Sequence, residues 1–262
     1  MTVEQALSSS GIDPREARLL LAHVTGFSAA SVAAFPEKEL PAQAEQRFSD
    51  CAARRKKGEP IAYIVGHKEF YGLELAVNPA VLIPRPETEL VVQLALQHDF
   101  SSLVDLGTGS GAIALAIKKH RPRARVVAVE SSAAALVLAQ RNAAKHALQV
   151  EFRHGRWFEP LENESFDLVV ANPPYVAAGD PHLAELGFEP RAALLAGADG
   201  LDAIREIVSQ VRPYLAGGGW LYVEHGMGQD AEVRELFERA GLESVASRRD
   251  LAGIARVTGG KR

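Results

Sequence analysis

Apolar residues recur at helical spacing over residues 1–60, where helix-starting and helix-ending residues break the pattern into short pieces. Asp13 and Pro14 form a typical helix start, with an N-cap side chain and a proline at the first helical position. Gly26 suits the end of that helix. The predicted helices run from Asp13 to Gly26, from Ser28 to before Pro36, and from Pro41 to Gly58. We therefore expect a small helical domain over residues 1–60.

Residues 61–83 carry shorter apolar runs, separated by glycine, asparagine and proline. Such runs are typical of short paired strands. The predicted strands are Tyr63–Val65, Phe70–Tyr71 and Leu73–Val77. We expect this segment to be a β-hairpin linker between the helical domain and the rest of the chain.

Within residues 84–262, strand-length apolar runs alternate with helical segments from residue 101 onwards. This alternation predicts a parallel β-sheet covered by helices on both faces. A helix around Leu201–Leu215 leads to a turn at Gly217–Gly219, and the last two runs suit an antiparallel pair. The seven predicted strands are Leu103–Leu106, Arg125–Val129, Val150–Phe152, Leu168–Val170, Trp220–Val223, Leu242–Ser247 and Ile254–Thr258. The expected fold class is α/β, with a seven-stranded, Rossmann-like sheet.

Composition disfavours several classes of function. The 262 residues carry 29 Lys and Arg against 33 Asp and Glu, and a net charge of −4 does not favour a surface for nucleic-acid phosphates. Cys51 is the only cysteine, so an internal disulfide and a cysteine-based zinc site are excluded. No apolar run approaches the ~18–20 residues that span a membrane. We expect a cytoplasmic monomer that binds no metal, nucleic acid or membrane.

A glycine-rich turn follows the first strand of the predicted sheet and opens a helix; its residues are Gly107, Thr108, Gly109, Ser110 and Gly111. The glycines permit a tight turn and close approach of a ligand, and the helix N-terminus favours a negative group. Glu130 ends the second strand, where its carboxylate can accept hydrogen bonds from ribose hydroxyls. Trp157 is a candidate surface for stacking an adenine, and equally a candidate packing residue. Because the turn also satisfies the dinucleotide pattern G-x-G-x-x-G/A, a nicotinamide cofactor stays open at this point.

The segment after the fourth strand reads Asn172-Pro173-Pro174-Tyr175. The two prolines make a stiff loop without N–H groups, and they push Asn172 towards an extended conformation. The Asn172 side-chain carbonyl, a backbone carbonyl and the Tyr175 ring can then hold a planar group by its NH2. The pattern predicts a site that presents an amide or amino nitrogen to an electrophile, at the edge where open parallel sheets bind ligands. A hydride-transfer site has no need of such a loop, which argues against the nicotinamide interpretation.

With these motifs in place, the chain resembles the S-adenosylmethionine-dependent N5-glutamine methyltransferases that modify peptide chain release factors. The resemblance covers nearly the whole length. The matching segments are LIPRPETE at Leu82–Glu89, DLGTGSGAIALA at Asp105–Ala116, FDLVVANPPYV at Phe166–Val176, FEPRAAL at Phe188–Leu194 and RRDLAG at Arg248–Gly253. The first segment is the most specific. The resemblance implies a class I methyltransferase domain over residues 84–262, behind a helical substrate-recognition domain.

The resemblance also implies roles for individual residues. The expected catalytic residues are Asn172 and Pro173, whose carbonyl oxygens would accept the two N–H bonds of a glutamine amide, and Tyr175, which would pack against that amide. Substrate would contact Asn172, Pro173, Pro174, Tyr175, Leu82 and Arg85. S-adenosyl-L-methionine, which leaves as S-adenosyl-L-homocysteine, would contact Gly107, Thr108, Gly109, Ser110, Gly111, Glu130, Trp157 and Asn172. In this family Asp is more usual at the position of Glu130 and at that of Arg156.

The expected function is methyl transfer to the side-chain amide nitrogen (N5) of the glutamine in the Gly-Gly-Gln motif of release factors, which would be the protein partner. The alternative is an adenine-N6 methyltransferase acting on DNA or RNA, because an adenine NH2 presents the same planar pair of donors. Residues 1–80 carry 9 Lys and Arg against 10 Asp and Glu, a balance that favours the protein substrate. A third possibility is a non-catalytic binding protein that keeps this fold as a scaffold. The presence of both the glycine turn and the Asn-Pro-Pro-Tyr loop in intact form disfavours it.

Overall fold

The computed structural model of the chain describes residues 1–184 and 186–262 and divides into two compact units, Met1–His67 and Lys68–Arg262. Each unit has its own apolar core. None of the helices in these described ranges combines the length and the apolar character needed to cross a bilayer.

The first unit consists of five helices: α1 (Val3–Ser9), α2 (Pro14–Thr25), α3 (Ala29–Ala34), α4 (Ala42–Lys56) and α5 (Ile61–Val65). The Asp13 carboxylate caps α2 by accepting hydrogen bonds from the backbone N–H groups of Arg15 and Glu16, at 2.8 and 3.3 Å. Gly26 ends α2 in the left-handed conformation, with φ of 71°. The three helices predicted from the sequence are therefore confirmed as α2, α3 and α4.

The prediction of a strand at Tyr63–Val65 is wrong, because these residues belong to α5. Pro60 precedes this helix and Gly66 ends it with φ of 80°. Ile64 is buried in the core of the first unit, so tertiary packing overrides the strand preference of an Ile-Val pair. The next two apolar runs do pair, as β1 (His67–Phe70) and β2 (Leu73–Ala76) of a two-stranded sheet.

The second unit contains the remaining elements. Its helices are α6 (Glu89–Leu96), α7 (Ala112–His120), α8 (Ala133–Lys145), α9 (Asp202–Gln210) and α10 (Asp230–Arg239). The strands of its large sheet are β3 (Ser102–Leu106), β4 (Arg125–Glu130), β5 (Glu151–His154), β6 (Phe166–Ala171), β7 (Leu215–Glu224), β8 (Glu243–Arg249) and β9 (Ala255–Lys261). Their order is β5-β4-β3-β6-β7-β9-β8, with parallel pairing from β5 to β7 and antiparallel pairing of β9 with both β7 and β8. The predicted seven-stranded α/β sheet is confirmed.

Both faces of this sheet are buried, which explains why its central strands are almost continuously apolar. Val104 of β3 packs in the same core as Ile204 of α9, whereas Leu103 packs in the core that includes Val91 of α6. Because helices cover both faces, the carboxyl edge of the parallel strands is the place where loops can build a site.

The helix predicted around Leu201–Leu215 is shorter than expected. It ends at Gln210, and Pro213 in the following 3-10 turn has no N–H group with which to continue it. The glycines Gly217–Gly219 also differ from the prediction, because they lie inside β7 rather than in a turn before it.

These glycines form a bulge in β7. Phe166 of β6 pairs with Leu215, whereas Leu168, two residues later, pairs with Trp220. The additional residues of β7 are accommodated between these two pairs, where glycine tolerates the irregular backbone.

Candidate active site

The two candidate motifs follow neighbouring strands of the sheet. Leu106, the last residue of β3, pairs in register with Ala171, the last residue of β6. The glycine turn begins directly after Leu106, and the Asn-Pro-Pro-Tyr loop begins directly after Ala171. Neighbouring strands lie about 4.8 Å apart. The sheet register therefore brings Gly107 and Asn172 to the start of a common site.

A cavity of about 470 Å³ lies at the glycine turn, and we call it the first cavity. This volume falls in the usual range for small-molecule sites. The predicted site residues that line it are Gly107, Thr108, Gly109, Ser110, Glu130, Trp157, Asn172, Pro174 and Leu82. Gly111 does not line this cavity; it precedes α7 in the left-handed conformation, with φ of 86°.

Glu130 is held at the wall of the first cavity by backbone groups. Its Oε2 accepts a hydrogen bond from the Gly109 N–H at 2.9 Å, and its Oε1 accepts one from the Ser132 N–H at 2.8 Å. Oε1 also accepts a long hydrogen bond from Ser131 Oγ at 3.5 Å. Because a carboxylate oxygen can accept two hydrogen bonds, Oε2 keeps the capacity to accept one from a ligand hydroxyl group.

The Trp157 ring packs against the glycine turn. Gly107 has φ of 73°, and a Cβ atom added to it would lie 3.1 Å from Trp157 Cζ3, so both conformation and space require glycine there. Trp157 itself has φ of 48°, which is unusual for a bulky residue and occurs preferentially at functional sites. The Arg156 guanidinium lies 5.3 Å from the Trp157 ring centroid and forms an ion pair with Glu206. Arg156 thus supports the Trp157 ring.

The Asp105 carboxyl holds the glycine turn by hydrogen bonds. Its Oδ2 accepts hydrogen bonds from Thr108 Oγ1 at 2.6 Å and from the Ala114 N–H at 3.2 Å. Burial raises the pKa of Asp105 to about 7, against the opposing effect of these hydrogen bonds. The carboxyl therefore joins the end of β3, the turn and the first turn of α7.

Asn172 lines both the first cavity and a second cavity of about 360 Å³. Its Nδ2 donates a hydrogen bond to Thr88 Oγ1 at 3.0 Å. Its Oδ1 is buried and has no hydrogen-bond partner among the described residues. Leaving a buried acceptor unpaired costs roughly 1–3 kcal/mol. An acceptor left unpaired at the junction of two cavities indicates where a donor from a ligand can bind.

The second cavity is lined by four of the predicted substrate-binding residues: Leu82, Arg85, Asn172 and Tyr175. Pro174 lines only the first cavity. Pro173 is buried and, within the described ranges, is absent from the lining of both cavities. The role predicted for the Pro173 carbonyl therefore remains a prediction.

Glu189 fixes the segment that contains Ile83 and Arg85. Its Oε2 accepts a hydrogen bond from the Ile83 N–H at 3.0 Å, and its other oxygen forms an ion pair with Arg85. The Glu189 side chain is only 3% exposed, whereas that of Arg85 is 33% exposed. Glu189 thus ties LIPRPETE to FEPRAAL, two segments that are far apart in the sequence.

The half-buried Tyr175 contacts the buried Glu224. The Tyr175 hydroxyl donates a hydrogen bond to Glu224 Oε1 at 3.3 Å. Burial raises the pKa of Tyr175 well above its usual range, so the hydroxyl keeps its proton. Burial also raises the pKa of Glu224 to about 7, although the hydrogen bond from Tyr175 opposes this effect. The other oxygen, Glu224 Oε2, is buried without a hydrogen-bond partner among the described residues.

Sequence reasoning did not select Thr88, Glu189 or Glu224 as site residues. They contact the site through side chains that no spacing rule relates to Asn172. One usable signal was present for Glu224, which ends an apolar strand at the same sheet edge as the two motifs. For Thr88 and Glu189 the only signal was that each lies inside a segment that carries the family resemblance, LIPRPETE or FEPRAAL.

Comparison with known families agrees with this architecture. Residues 86–186 match the Methyltransferase small domain family, and residues 2–66 match the PrmC N-terminal domain family. A crystal structure of a methyltransferase from Pyrococcus furiosus is similar in fold, with a TM-score of 0.59 and 18% identity over 81% of this chain and 98% of that one. The second unit therefore has the fold of a methyltransferase, and residues 86–186 within it match a methyltransferase domain family.

Sequence relatives define the family more narrowly. The release factor glutamine methyltransferase of Coxiella burnetii is 44% identical over 261 residues, which cover 97% of this chain and 94% of the relative. The release factor glutamine methyltransferase of Burkholderia pseudomallei is 47% identical over 273 residues, which cover 99% of this chain and 96% of the relative. The chain belongs to the release factor glutamine methyltransferase family.

Proposed function

We propose that this protein transfers a methyl group from S-adenosyl-L-methionine to the N5 amide nitrogen of the glutamine in the Gly-Gly-Gln motif of peptide chain release factors. The observation that carries the proposal is the buried, unpaired Oδ1 of Asn172 between the two cavities. A glutamine amide has two N–H donors, and one of them can satisfy this acceptor.

The residues of the first cavity fit S-adenosyl-L-methionine. The open backbone of Gly107 and Gly109 suits close approach of the methionine end, and Glu130 can accept a hydrogen bond from a ribose hydroxyl. Trp157 lines the same cavity and offers an aromatic surface to the adenine. When bound, the cofactor supplies a methyl group made electrophilic by a sulfonium centre.

The task of the protein is to orient a weak nucleophile, because the lone pair of an amide nitrogen is delocalised into its carbonyl. Asn172 Oδ1 accepts one N–H of the substrate amide, and the Pro173 carbonyl accepts the other. These acceptors favour the positive charge that develops on nitrogen, as an oxyanion hole favours negative charge. Tyr175 packs on the flat face of the amide. Correct orientation alone contributes up to about 7–11 kcal/mol in well-oriented systems.

We also propose a division of labour along the chain. Residues 1–60 recognise the release factor, residues 61–83 link the domains, and residues 84–262 carry the chemistry. The match of residues 2–66 to an N-terminal domain family separate from the methyltransferase family supports this division.

The proposal is tested by incubating the purified protein with labelled S-adenosyl-L-methionine and a release factor, followed by mass spectrometry of the Gly-Gly-Gln peptide. We expect one added methyl group on the glutamine. A parallel incubation with DNA and RNA tests adenine-N6 methylation. Labelled nucleic acid together with an unmodified release factor would overturn the proposal.

Replacement of Asn172 by Ala tests the assigned chemistry. We expect kcat to fall by at least about 10²–10³-fold, as for the loss of one group that stabilises developing charge. Cofactor affinity, measured by calorimetry, should remain largely intact because the glycine turn and Glu130 are unchanged. Retained methylation, or equal loss of turnover and of cofactor binding, would contradict the role assigned to Asn172.

A further inference from the structure

The inward face of α8 is apolar except at one position. Its buried residues follow helical spacing and are Ala135, Leu138, Ala139, Asn142 and Ala143. Asn142 is 0% exposed, and a buried side-chain amide is costly unless its oxygen and its NH2 group are hydrogen-bonded. A leucine would continue the apolar face, so packing alone does not account for an asparagine there.

Three hydrogen bonds satisfy the Asn142 amide. Its Oδ1 accepts a hydrogen bond from the Ala76 N–H at 2.8 Å, and its Nδ2 donates to the Ala76 carbonyl at 3.0 Å and to the Ser110 carbonyl at 2.9 Å. Only this orientation of the amide pairs an acceptor with the N–H group and a donor with each carbonyl. Ala76 is the last residue of β2, and the amide pairs with it as a residue of a neighbouring strand would.

The two segments that Asn142 joins are walls of the first cavity. Ser110 belongs to the glycine turn and lines this cavity. The segment after β2 lines the cavity at Ala80, Val81 and Leu82.

The connection from Ala76 to that lining is short and tightly held. Asn78 Oδ1 accepts a hydrogen bond from the Ala80 N–H at 2.9 Å, and the Asn78 carbonyl accepts one from the Val81 N–H at 3.1 Å. Val77 and Val81 are both buried. A displacement of Ala76 would therefore displace the cavity wall as well.

We infer that Asn142 is a positioning residue that holds the glycine turn and the segment after β2 together, and thereby sets the width of the first cavity for S-adenosyl-L-methionine. The identity of this ligand rests on the proposed function, whereas the three hydrogen bonds do not. Leu73 and Leu75 of β2 pack in the same core as Ile113 of α7. Strand β2 is then part of the cofactor site, in addition to its place in the segment that links the domains.

Asn142→Asp tests this role with little change in size. The carboxyl can still accept the Ala76 N–H, but even when protonated it has only one proton for two carbonyls. We expect the Kd for S-adenosyl-L-methionine, measured by calorimetry, to rise about tenfold or more. The KM for S-adenosyl-L-methionine should rise in step, while kcat at saturating cofactor stays within about threefold, because the groups that bind the substrate amide are unchanged.

Lys145→Ala is a control on the same helix. Lys145 Nζ donates to the Glu74 carbonyl at 2.9 Å and to Glu74 Oε1 at 2.7 Å, so this variant also weakens the contact between α8 and β2. It leaves the Ser110 carbonyl paired. We expect its Kd for S-adenosyl-L-methionine to stay within about twofold of the wild-type value.

Asp167→Ala is a control for lost stability. Asp167 Oδ2 accepts hydrogen bonds from the N–H and hydroxyl groups of Ser101 and Ser102, at 2.8 to 3.1 Å, beside the amino end of β3. The cavities lie at the opposite edge of the sheet. Urea denaturation should show a loss of stability in this variant, whereas its Kd for S-adenosyl-L-methionine should stay within about twofold.

Hydrogen exchange of backbone amides gives a readout that needs no turnover. The Gly109 N–H donates to Glu130 Oε2 and lies one residue from Ser110. Its exchange should be faster in Asn142→Asp than in the wild type, and unchanged in Lys145→Ala. In the wild type, saturation with S-adenosyl-L-methionine should slow exchange of the Ala76 N–H, because Asn142 links Ala76 to the glycine turn.

Unchanged Kd and unchanged Gly109 exchange in folded Asn142→Asp would overturn the inference. An equal rise in Kd in Asn142→Asp and Asp167→Ala would also overturn it, because the effect would then follow from lost stability alone. If Asn142→Asp does not fold, the wild type decides, and Ala76 exchange that does not slow on cofactor binding would refute the link. If the wild type does not bind S-adenosyl-L-methionine, the proposed function fails, and the Gly109 exchange rates still decide whether Asn142 holds the turn.

Discussion

Replacement of Glu224 by Gln should make the protein more stable at neutral and higher pH. Glutamine keeps the size of the side chain but removes the buried charge. Its side-chain oxygen can still accept the hydrogen bond from the Tyr175 hydroxyl, which lies 3.3 Å from Glu224 Oε1. The substitution thus relieves the protein of a buried carboxylate while keeping this contact.

The size of the stability effect follows from the pKa of Glu224, which burial raises from 4.5 to about 7. The folded protein binds this proton more tightly than the unfolded chain, so the free energy of unfolding falls as the pH rises from about 4.5 to about 7. One pKa unit corresponds to about 1.36 kcal/mol, and the whole difference therefore amounts to about 3 kcal/mol at most. Glutamine does not titrate, so Glu224→Gln should escape this loss.

Urea denaturation of both proteins at pH 5 and pH 8 tests this reasoning. The variant should gain stability relative to the wild type as the pH rises, by up to about 3 kcal/mol or roughly 6–12 °C in Tm. A stability difference that does not change between pH 5 and pH 8 would refute the assignment of a buried, titrating carboxyl.

Two further substitutions test the packing of the glycine turn and the anchoring of Ile83 and Arg85. Gly107→Ala places a Cβ at φ of 73° and 3.1 Å from Trp157 Cζ3, so we expect about 1–2 kcal/mol lower stability and weaker S-adenosyl-L-methionine binding by calorimetry; unchanged affinity would contradict the close packing of the turn. Glu189→Ala removes the acceptor of the Ile83 N–H and the partner of Arg85, and we expect a loss of about 2–3 kcal/mol in urea denaturation. Glu189→Gln keeps an acceptor for Ile83 and should lose less, and equal losses in the two variants would contradict this account.

Local patterns in the sequence were sufficient for much of the fold. The glycine turn and Ala112 mark the start of α7 at the residue where the structure begins it, because left-handed glycines leave few alternatives. The capping residues of α2 were equally informative. Tyr63–Val65 shows the limit of prediction from local patterns. A short apolar run is compatible with both a strand and a helix, and only its tertiary contacts decide between them. Pro60 before it and Gly66 after it were signals for a helix of one turn.

The candidate site was predictable only in part. Asn172 and the glycine turn stood out because their sequences are rare and have a physical purpose. The hydrogen bond between Asn172 and Thr88 joins residues 84 positions apart, and the one between Tyr175 and Glu224 joins residues 49 positions apart. Periodicity carries no information about such pairs. Residues that line the cavities could therefore be predicted in part, whereas their hydrogen-bond partners elsewhere in the chain could not.

The in-register pairing of Leu106 with Ala171 has a consequence for how this enzyme can change over time. The distance between the glycine turn and the Asn-Pro-Pro-Tyr loop is set by two buried central strands, whose register cannot shift by one residue without turning every side chain to the opposite face. Substitutions in the loops can alter which molecules bind beside each motif. They cannot alter how far apart the two motifs lie. New substrates are therefore accessible to descendants of this protein by changes in its loops, while the spacing of the two motifs is inherited with the core.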